Sequence, residues 1–279
     1  LPFAYLRDRA GVRVRLLRPR DGVCLTVDEL REALTPRTRL VCMSHVSYST
    51  GARLPVEAAA EMVQQHGALL LVDGPQSAGV LPVNLEALGA AAYAVPGQKW
   101  LLGPEGTGVL AITPRAQEWV APTSLAWASV DHGDGPAHPL AYRLKPSARR
   151  YELATMSLPL FEGLRASVAI LDQVGATAVW ERVASLATRL KEGLAARPGV
   201  ELITPLEADR SAGLVTFKLR GVPAPEAARL LTERYRVVGR WVPRPEAVRL
   251  SVHLFNTEDE VERVLEAIDE LVAGGRRER

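Results

Sequence analysis

Short apolar runs alternate with amphipathic stretches along the first two-thirds of the chain. Residues 12–17 read as a strand and 27–34 as a short helix that stops before Pro36. Residues 39–45 read as a buried strand, and 55–66 as a helix with Pro55 near its first turn and Gly67 as its stop. Residues 68–73 (ALLLVD) form a continuous apolar run, the pattern of a strand covered on both faces. Two more short apolar runs, 90–95 and 107–112, flank a glycine-rich turn. This βαβ rhythm predicts an α/β fold with a mostly parallel sheet and helices on its faces.

The periodicity lapses over 120–150. Pro122, Pro136, Pro139 and Pro146, with Gly133 and Gly135, make this a long loop, of the kind that is usually functional or mobile. Two long amphipathic helices follow at 157–174 and 176–196. The tail then reads strand (214–219), helix (225–235), strand (237–242), strand (248–254) and helix (258–272). That mixed pattern predicts a large domain over 1–175 and a smaller C-terminal α+β domain over 176–279. In the last helix Val261, Val264, Leu265, Ile268 and Leu271 mark the packed stripe, and the charges around them a solvated face.

The 279 residues, 47% hydrophobic and 24% charged, suffice for a substantial core. A formal net charge of +2, with both signs interspersed, argues against nucleic-acid or membrane-surface binding. Cys24 and Cys42 form no C-x-x-C pair and no disulfide framework, which points to a reduced, cytoplasmic setting. No apolar run is long enough to span a membrane. Leu1 is not a methionine and the chain opens inside a helix-to-strand pattern, so the start of the protein is expected to lie outside this sequence.

Asp73 ends the apolar run, which places a carboxylate at the C-terminal edge of a parallel sheet, where open α/β folds bind ligands. Its bland alternative is a helix cap. Lys99 lies in GQKWLLGPEGTG, after one apolar strand and before the next. Set between Val95 and Trp100-Leu101-Leu102, it can be partly desolvated, which lowers its pKa and makes it a usable amine nucleophile. Its alternative is an exposed loop lysine. An aspartate and a lysine across one strand-turn-strand unit fit pyridoxal 5′-phosphate (PLP) chemistry. The lysine forms the Schiff base, and the carboxylate keeps the pyridine nitrogen protonated.

Three stretches, SHVSYSTGARLPV, ALLLVDGPQSAGVLPV and AYAVPGQKWLLGPEGTGVL, resemble consecutive core blocks of the class V aminotransferase family, and RYELATMS and AVRLSVHLFNTEDEVERVLEAI continue the likeness. The family includes cysteine desulfurases, cysteine and cystine C–S lyases, isopenicillin-N-epimerase-like proteins and true aminotransferases. The resemblance implies the PLP-dependent transferase fold type I and a homodimer with sites at the subunit interface. It implies that Asp73 pairs with the pyridine nitrogen, Lys99 holds the cofactor and Gln76 hydrogen-bonds its phenolic oxygen. Thr155 matches a threonine that reaches the phosphate of the partner subunit's cofactor; a helix cap is its alternative. Arg249 matches the arginine that grips the substrate α-carboxylate, a task suited to a planar guanidinium.

Three departures bear on activity. Where the family often has Ser-x-His-Lys, this chain has Gly97-Gln98-Lys99. Gln98 can still donate its amide to a phosphate oxygen, and Gly97 only its backbone N–H. The family also carries a preceding segment, with a phosphate-binding helix start and a ring-stacking aromatic residue, that would lie before Leu1. No cysteine occurs in ERYRVVGRWVPRPEAVRLS, where desulfurases place their nucleophile, so persulfide-forming chemistry is not expected. The expected activity is transferase-type chemistry at the α-carbon of an amino acid, with C–S lyase β-elimination or epimerisation as alternatives. The rival from another class is a cofactor-free relic serving as a scaffold. His45 reads as structural, Tyr48 as a residue beside the cofactor, and Trp127, Trp180 and Trp241 as packing residues.

Overall fold

The computed structural model describes residues 2–131, 142–153 and 155–274. Helix α1 (Pro2–Ala10) opens the chain, and the 12–17 segment expected as a strand carries no ladder. Its apolar residues Val12, Val14 and Leu16 are exposed, so the alternation there has no neighbouring strand to reward it. Helix α2 (Val27–Ala33) starts at a full capping box, Thr26 and Glu29 each satisfying the other's backbone N–H.

Strand β1 (Leu40–Ser44), helix α3 (Val56–Gln65), strand β2 (Leu69–Asp73), the one-turn helix α4 (Leu85–Leu88) and strand β3 (Ala92–Pro96) form two successive βαβ units. The three strands pair in parallel in the order β1-β2-β3, as the apolar runs predict. Strand β4 (Gly108–Ile112) then returns antiparallel to β3. Both ends of the 97–107 turn are thereby held at the carboxyl edge of β1 to β3, the edge that Asp73 also occupies.

Helix α5 (Pro114–Trp119), capped by Thr113 with proline in its first turn, follows. The stretch expected as one long loop contains a short ladder of β5 (Val130–Asp131) with β6 (Arg143–Leu144). Pro136, Pro139, Gly133 and Gly135 lie outside the described residues. Helices α6 (Leu158–Val174) and α7 (Ala176–Ala195) meet at Gly175, whose φ of 89° suits a residue without a Cβ.

The second sheet takes β7 (Val200–Leu202), β8 (Leu214–Leu219), β9 (Arg240–Pro243) and β10 (Glu246–Ser251) in the antiparallel order β7-β8-β10-β9. Helix α8 (Ala224–Tyr235) and the terminal α9 (Glu258–Gly274) pack on it with α7. Each sheet has its own apolar core. One gathers Leu30, Val56, Val63, Leu70, Val72 and Tyr93; the other gathers Leu186, Leu190, Phe217, Leu231, Val248 and Ile268. A third cluster, with Val46, Val80, Trp100, Leu171, Val183 and Leu214, joins the two. Trp180 packs against it, whereas Trp127 is 79% and Trp241 45% exposed. Those two are therefore not buried packing residues, because the size of an indole does not decide whether its position faces the core.

The only fully buried lysine named among the described core residues, Lys191, is a structural tie. Its ammonium donates to the carbonyls of Pro205 (3.2 Å) and Leu206 (2.7 Å) and to Ser211 Oγ (2.6 Å), which replaces its lost hydration.

Candidate active site

Three backbone elements set the site. Asp73 is the last residue of β2, in register with Ser44 of β1 and Ala94 of β3. Its carbonyl accepts from the His45 N–H at 3.1 Å, so the strand end is fastened while the carboxylate stays exposed. The helix-cap alternative has no counterpart here: the residues after Asp73 form a turn, and its side chain is left for a ligand.

Lys99 sits in the 97–107 turn between β3 and β4. Gly103 N–H donates to the Gly97 carbonyl at 2.8 Å, Leu102 N–H to the Lys99 carbonyl at 3.0 Å, and Ser167 Oγ to the Leu102 carbonyl at 2.9 Å. Leu102 adopts φ 58°, a conformation that L-residues with a Cβ seldom take, and these bonds hold it there. The lysine itself is exposed, yet its pKa is lowered, first by partial desolvation, then by the Arg249 charge, with Asp73 opposing and Arg240 adding to the lowering. Asp73, Arg249 and Arg240 are thus the charges that act on Lys99.

Gln76 is buried, and its Oε1 accepts from Trp100 Nε1–H at 2.8 Å. Because the indole N–H can only donate, it fixes the amide with Nε2 outward as a donor, the polarity that a phenolic oxygen requires. Trp100 stacks on His253 with centroids 5.3 Å apart, and His253 Nε2 lies 3.1 Å from the Trp100 carbonyl. A Cβ on Gly79 would meet that carbonyl at 2.2 Å, and one on Gly213 the indole ring at 2.6 Å. The indole is thus boxed between the two sheets. Along the chain Trp100 reads only as an apolar neighbour of the lysine; its part as the donor that orients Gln76 comes from the fold.

Arg249, on β10 of the second sheet, crosses to the first and donates from Nη1 to the Tyr48 carbonyl at 2.8 Å. Its Nε is buried without a hydrogen-bond partner. Tyr48 meets this site through its backbone, and its side chain is 55% exposed. His45 is buried, with Nδ1 2.8 Å from Tyr93 Oη, which in turn lies 2.5 Å from Ser77 Oγ. Burial brings its pKa down to about 4, so the ring is neutral, in keeping with a structural role.

The phosphate end differs from the sequence expectation at Gly97. Its N–H donates to the Thr107 carbonyl at 2.8 Å and is not free for a phosphate, and a Cβ there would meet Thr107 Oγ1 at 2.0 Å. Gln98, next to Lys99, is exposed and stands at the same turn. Thr155 is exposed ahead of α6, whose N-cap is Ser157. Asp73 and Arg249 thus act on Lys99, Gln76 is tied to the adjacent Trp100, and Thr155 is exposed before α6.

A family model, Aminotransferase class-V, matches residues 1–264. The chain belongs to the class-V aminotransferase family. Among its class-V relatives, the isopenicillin N epimerase of Streptomyces clavuligerus is 33% identical over 94% of this chain and 68% of its own length. A probable cysteine desulfurase of Methanothermobacter thermautotrophicus is 27% identical over 99% of this chain and 70% of its own. The chain thus spans about two thirds of these relatives' length. A C-DES variant with glycine covalently linked to its PLP cofactor superposes with a TM-score of 0.88 at 27% identity, over 96% of this chain and 70% of that one. The class-V fold here is the PLP fold type I, and family and fold together imply pyridoxal 5′-phosphate as the cofactor.

The residues present fit that group. An acid and an amine share one sheet edge, an amide donor is held by Trp100, and the Arg249 charge acts on the same amine. Trp100→Phe tests the amide's support. It leaves Gln76 Oε1 buried without a donor and opens a small void, and it is expected to cost at least about 2 kcal/mol in denaturant unfolding. PLP should also dissociate more readily from the variant, followed by tryptophan and cofactor fluorescence. An unchanged stability would show that this hydrogen bond carries nothing.

Proposed function

We propose that this chain is the greater part of a PLP-dependent enzyme acting at the α-carbon of an amino acid, working as a homodimer. The observation that carries the reading is the meeting of Lys99, of lowered pKa, with Asp73 on its own sheet edge and Arg249 from the other sheet. PLP, when bound, supplies an electron sink for the pair left at Cα when the α-proton departs. Lys99 would hold the cofactor and then, once freed, take and return the proton at Cα through Nζ. The lowered pKa favours the neutral amine, the form that takes up a proton.

Asp73 would keep the pyridine nitrogen protonated, and Gln76 Nε2 would donate to the phenolic oxygen. Gln98 would donate to the phosphate, and Thr155 would reach the phosphate in the other subunit; its exposure ahead of α6 suits that part. Arg249 would orient the substrate by its α-carboxylate through two parallel N–H donors.

Transferase-type chemistry is the first reading. Epimerisation is the second, favoured by the likeness to isopenicillin N epimerase, and C–S lyase β-elimination is supported by the likeness to C-DES. A persulfide on a protein cysteine is disfavoured. Cys24 and Cys42 both lie before Lys99, and burial pushes both thiols up, with the Asp73 charge adding to it at Cys42. Incubation of the PLP-loaded protein with a panel of amino acids separates the readings. Keto acid that forms only with an acceptor supports transamination; pyruvate and sulfide from cystine support the lyase; loss of optical activity alone supports epimerisation. A protein that shows no violet-blue absorbance with PLP would be the relic, and the proposal would fall.

A further inference from the structure

The turn from Asp73 to Ser77 carries both the acid and the amide of the site, and a buried chain of hydrogen bonds is fastened to it. Ser77 Oγ donates to the Gly74 carbonyl at 3.0 Å, Tyr93 Oη lies 2.5 Å from Ser77 Oγ, and His45 Nδ1 lies 2.8 Å from Tyr93 Oη. None of the three residues is more than 3% exposed.

One arrangement of protons satisfies all three bonds. A carbonyl can only accept, so the Ser77 hydroxyl directs its proton to Gly74. The Tyr93 hydroxyl must then donate to Ser77 Oγ, and burial, which pushes that phenol up to about 12, keeps its proton in place. Tyr93 Oη accordingly accepts from His45 Nδ1–H of the neutral ring. Every donor in the series points toward the turn.

The same residues hold the main chain there. His45 N–H donates to the Asp73 carbonyl at 3.1 Å, and Gly74 N–H to the carbonyl of Ala94, next to Tyr93, at 2.9 Å. A Cβ on Gly74 would meet the Tyr93 ring at 2.0 Å, so the phenol lies against the peptide that follows Asp73. The first core needs only the ring, which phenylalanine would supply; the hydroxyl adds the tie from His45 to the turn.

Resting on the proposed function, we infer that Tyr93 is a positioning residue: through its hydroxyl, held between His45 and Ser77, it fixes the turn on which Asp73 and Gln76 stand. It acts through that turn and not by touching the cofactor. An acid and an amide that must meet one ring at two different atoms need a fixed spacing, and a displacement of about 1 Å gives up that match.

Tyr93→Phe cuts the chain and keeps the ring against Gly74. In the cofactor-free full chain, Lys99 modification by an amine reagent, followed against pH by peptide mass spectrometry, reports on Asp73, which opposes the lowering of the Lys99 pKa. A loosened turn lets that carboxylate range through water, where its charge is better screened. The onset should therefore move to lower pH in Tyr93→Phe, by less than in Asp73→Asn. In absorbance titrations PLP should bind about fivefold more weakly. Ser77→Ala breaks the same chain one bond later. It should repeat both changes, add little to them in the double variant, and give the same reading should Tyr93→Phe not fold. Ser211→Ala, which removes a hydroxyl partner of the buried Lys191, is the comparison: it should lower stability and move neither reading.

A folded Tyr93→Phe with the onset and PLP affinity of the wild type would make the hydroxyl a core tie alone and overturn the inference. Fully additive effects of the two substitutions would place the hydroxyls in separate networks and do the same. An onset moved by Tyr93→Phe in a chain that binds no PLP would keep this inference and defeat the proposed function. PLP-dependent turnover with both readings unmoved by Tyr93→Phe would do the reverse.

Discussion

Lys99→Ala is expected to give a folded protein that keeps no PLP covalently after borohydride reduction and turns over amino acids about a thousandfold more slowly. Folding should survive because the side chain is exposed and belongs to none of the three apolar clusters. The turn around it is held by backbone groups and by Ser167, which alanine leaves in place. Intact-mass measurement after reduction reads the result directly: the wild type gains one reduced cofactor, and the variant gains none. Added methylamine should restore part of the rate, since it returns an amine to the emptied position. Covalent retention of PLP by the variant would move the attachment to another lysine and end the assignment.

Asp73→Asn should lower kcat by about a hundredfold or more, because the amide keeps the shape of the acid and loses the charge that holds a ring nitrogen protonated. A second readout needs no turnover. Asp73 opposes the lowering of the Lys99 pKa, so removing its charge should lower that pKa further. In the cofactor-free protein, the onset of Lys99 modification by an amine reagent should then move to lower pH, as quantified by peptide mass spectrometry. A shift to higher pH, or none, would mean that the two groups do not share a cleft.

Much of the first sheet was legible because its strands are short, apolar and separated by clear helix signals. LLLVD over β2 and the stop at Gly67 are of this kind. Helix α5 carries an equal signal, Thr113 before Pro114, but its six residues are too few to show a helical period. The 12–17 segment shows the opposite failure: alternation alone promises a strand only when another strand lies beside it. Around the site, Asp73, Lys99 and Gln76 could be named because each follows a recognisable run. That Arg240 stands opposite Arg249 could not, since it comes from the register of β9 against β10, which no pattern along one strand encodes. The occupied N–H of Gly97 and the Trp100 donor were hidden for the same reason: both depend on partners distant along the chain.

The boxed indole has a mechanical consequence. Lys99 and Asp73 belong to one folded unit and Arg249 to the other, so their alignment is only as good as the joint between them. A slip of about 1 Å across that joint costs on the order of a hundredfold in rate. Trp100, hemmed by Gly79 and Gly213 and stacked on His253, is the part that resists such slippage. Enlarging either glycine should therefore blunt catalysis from a distance, without touching any group that meets the reacting molecule.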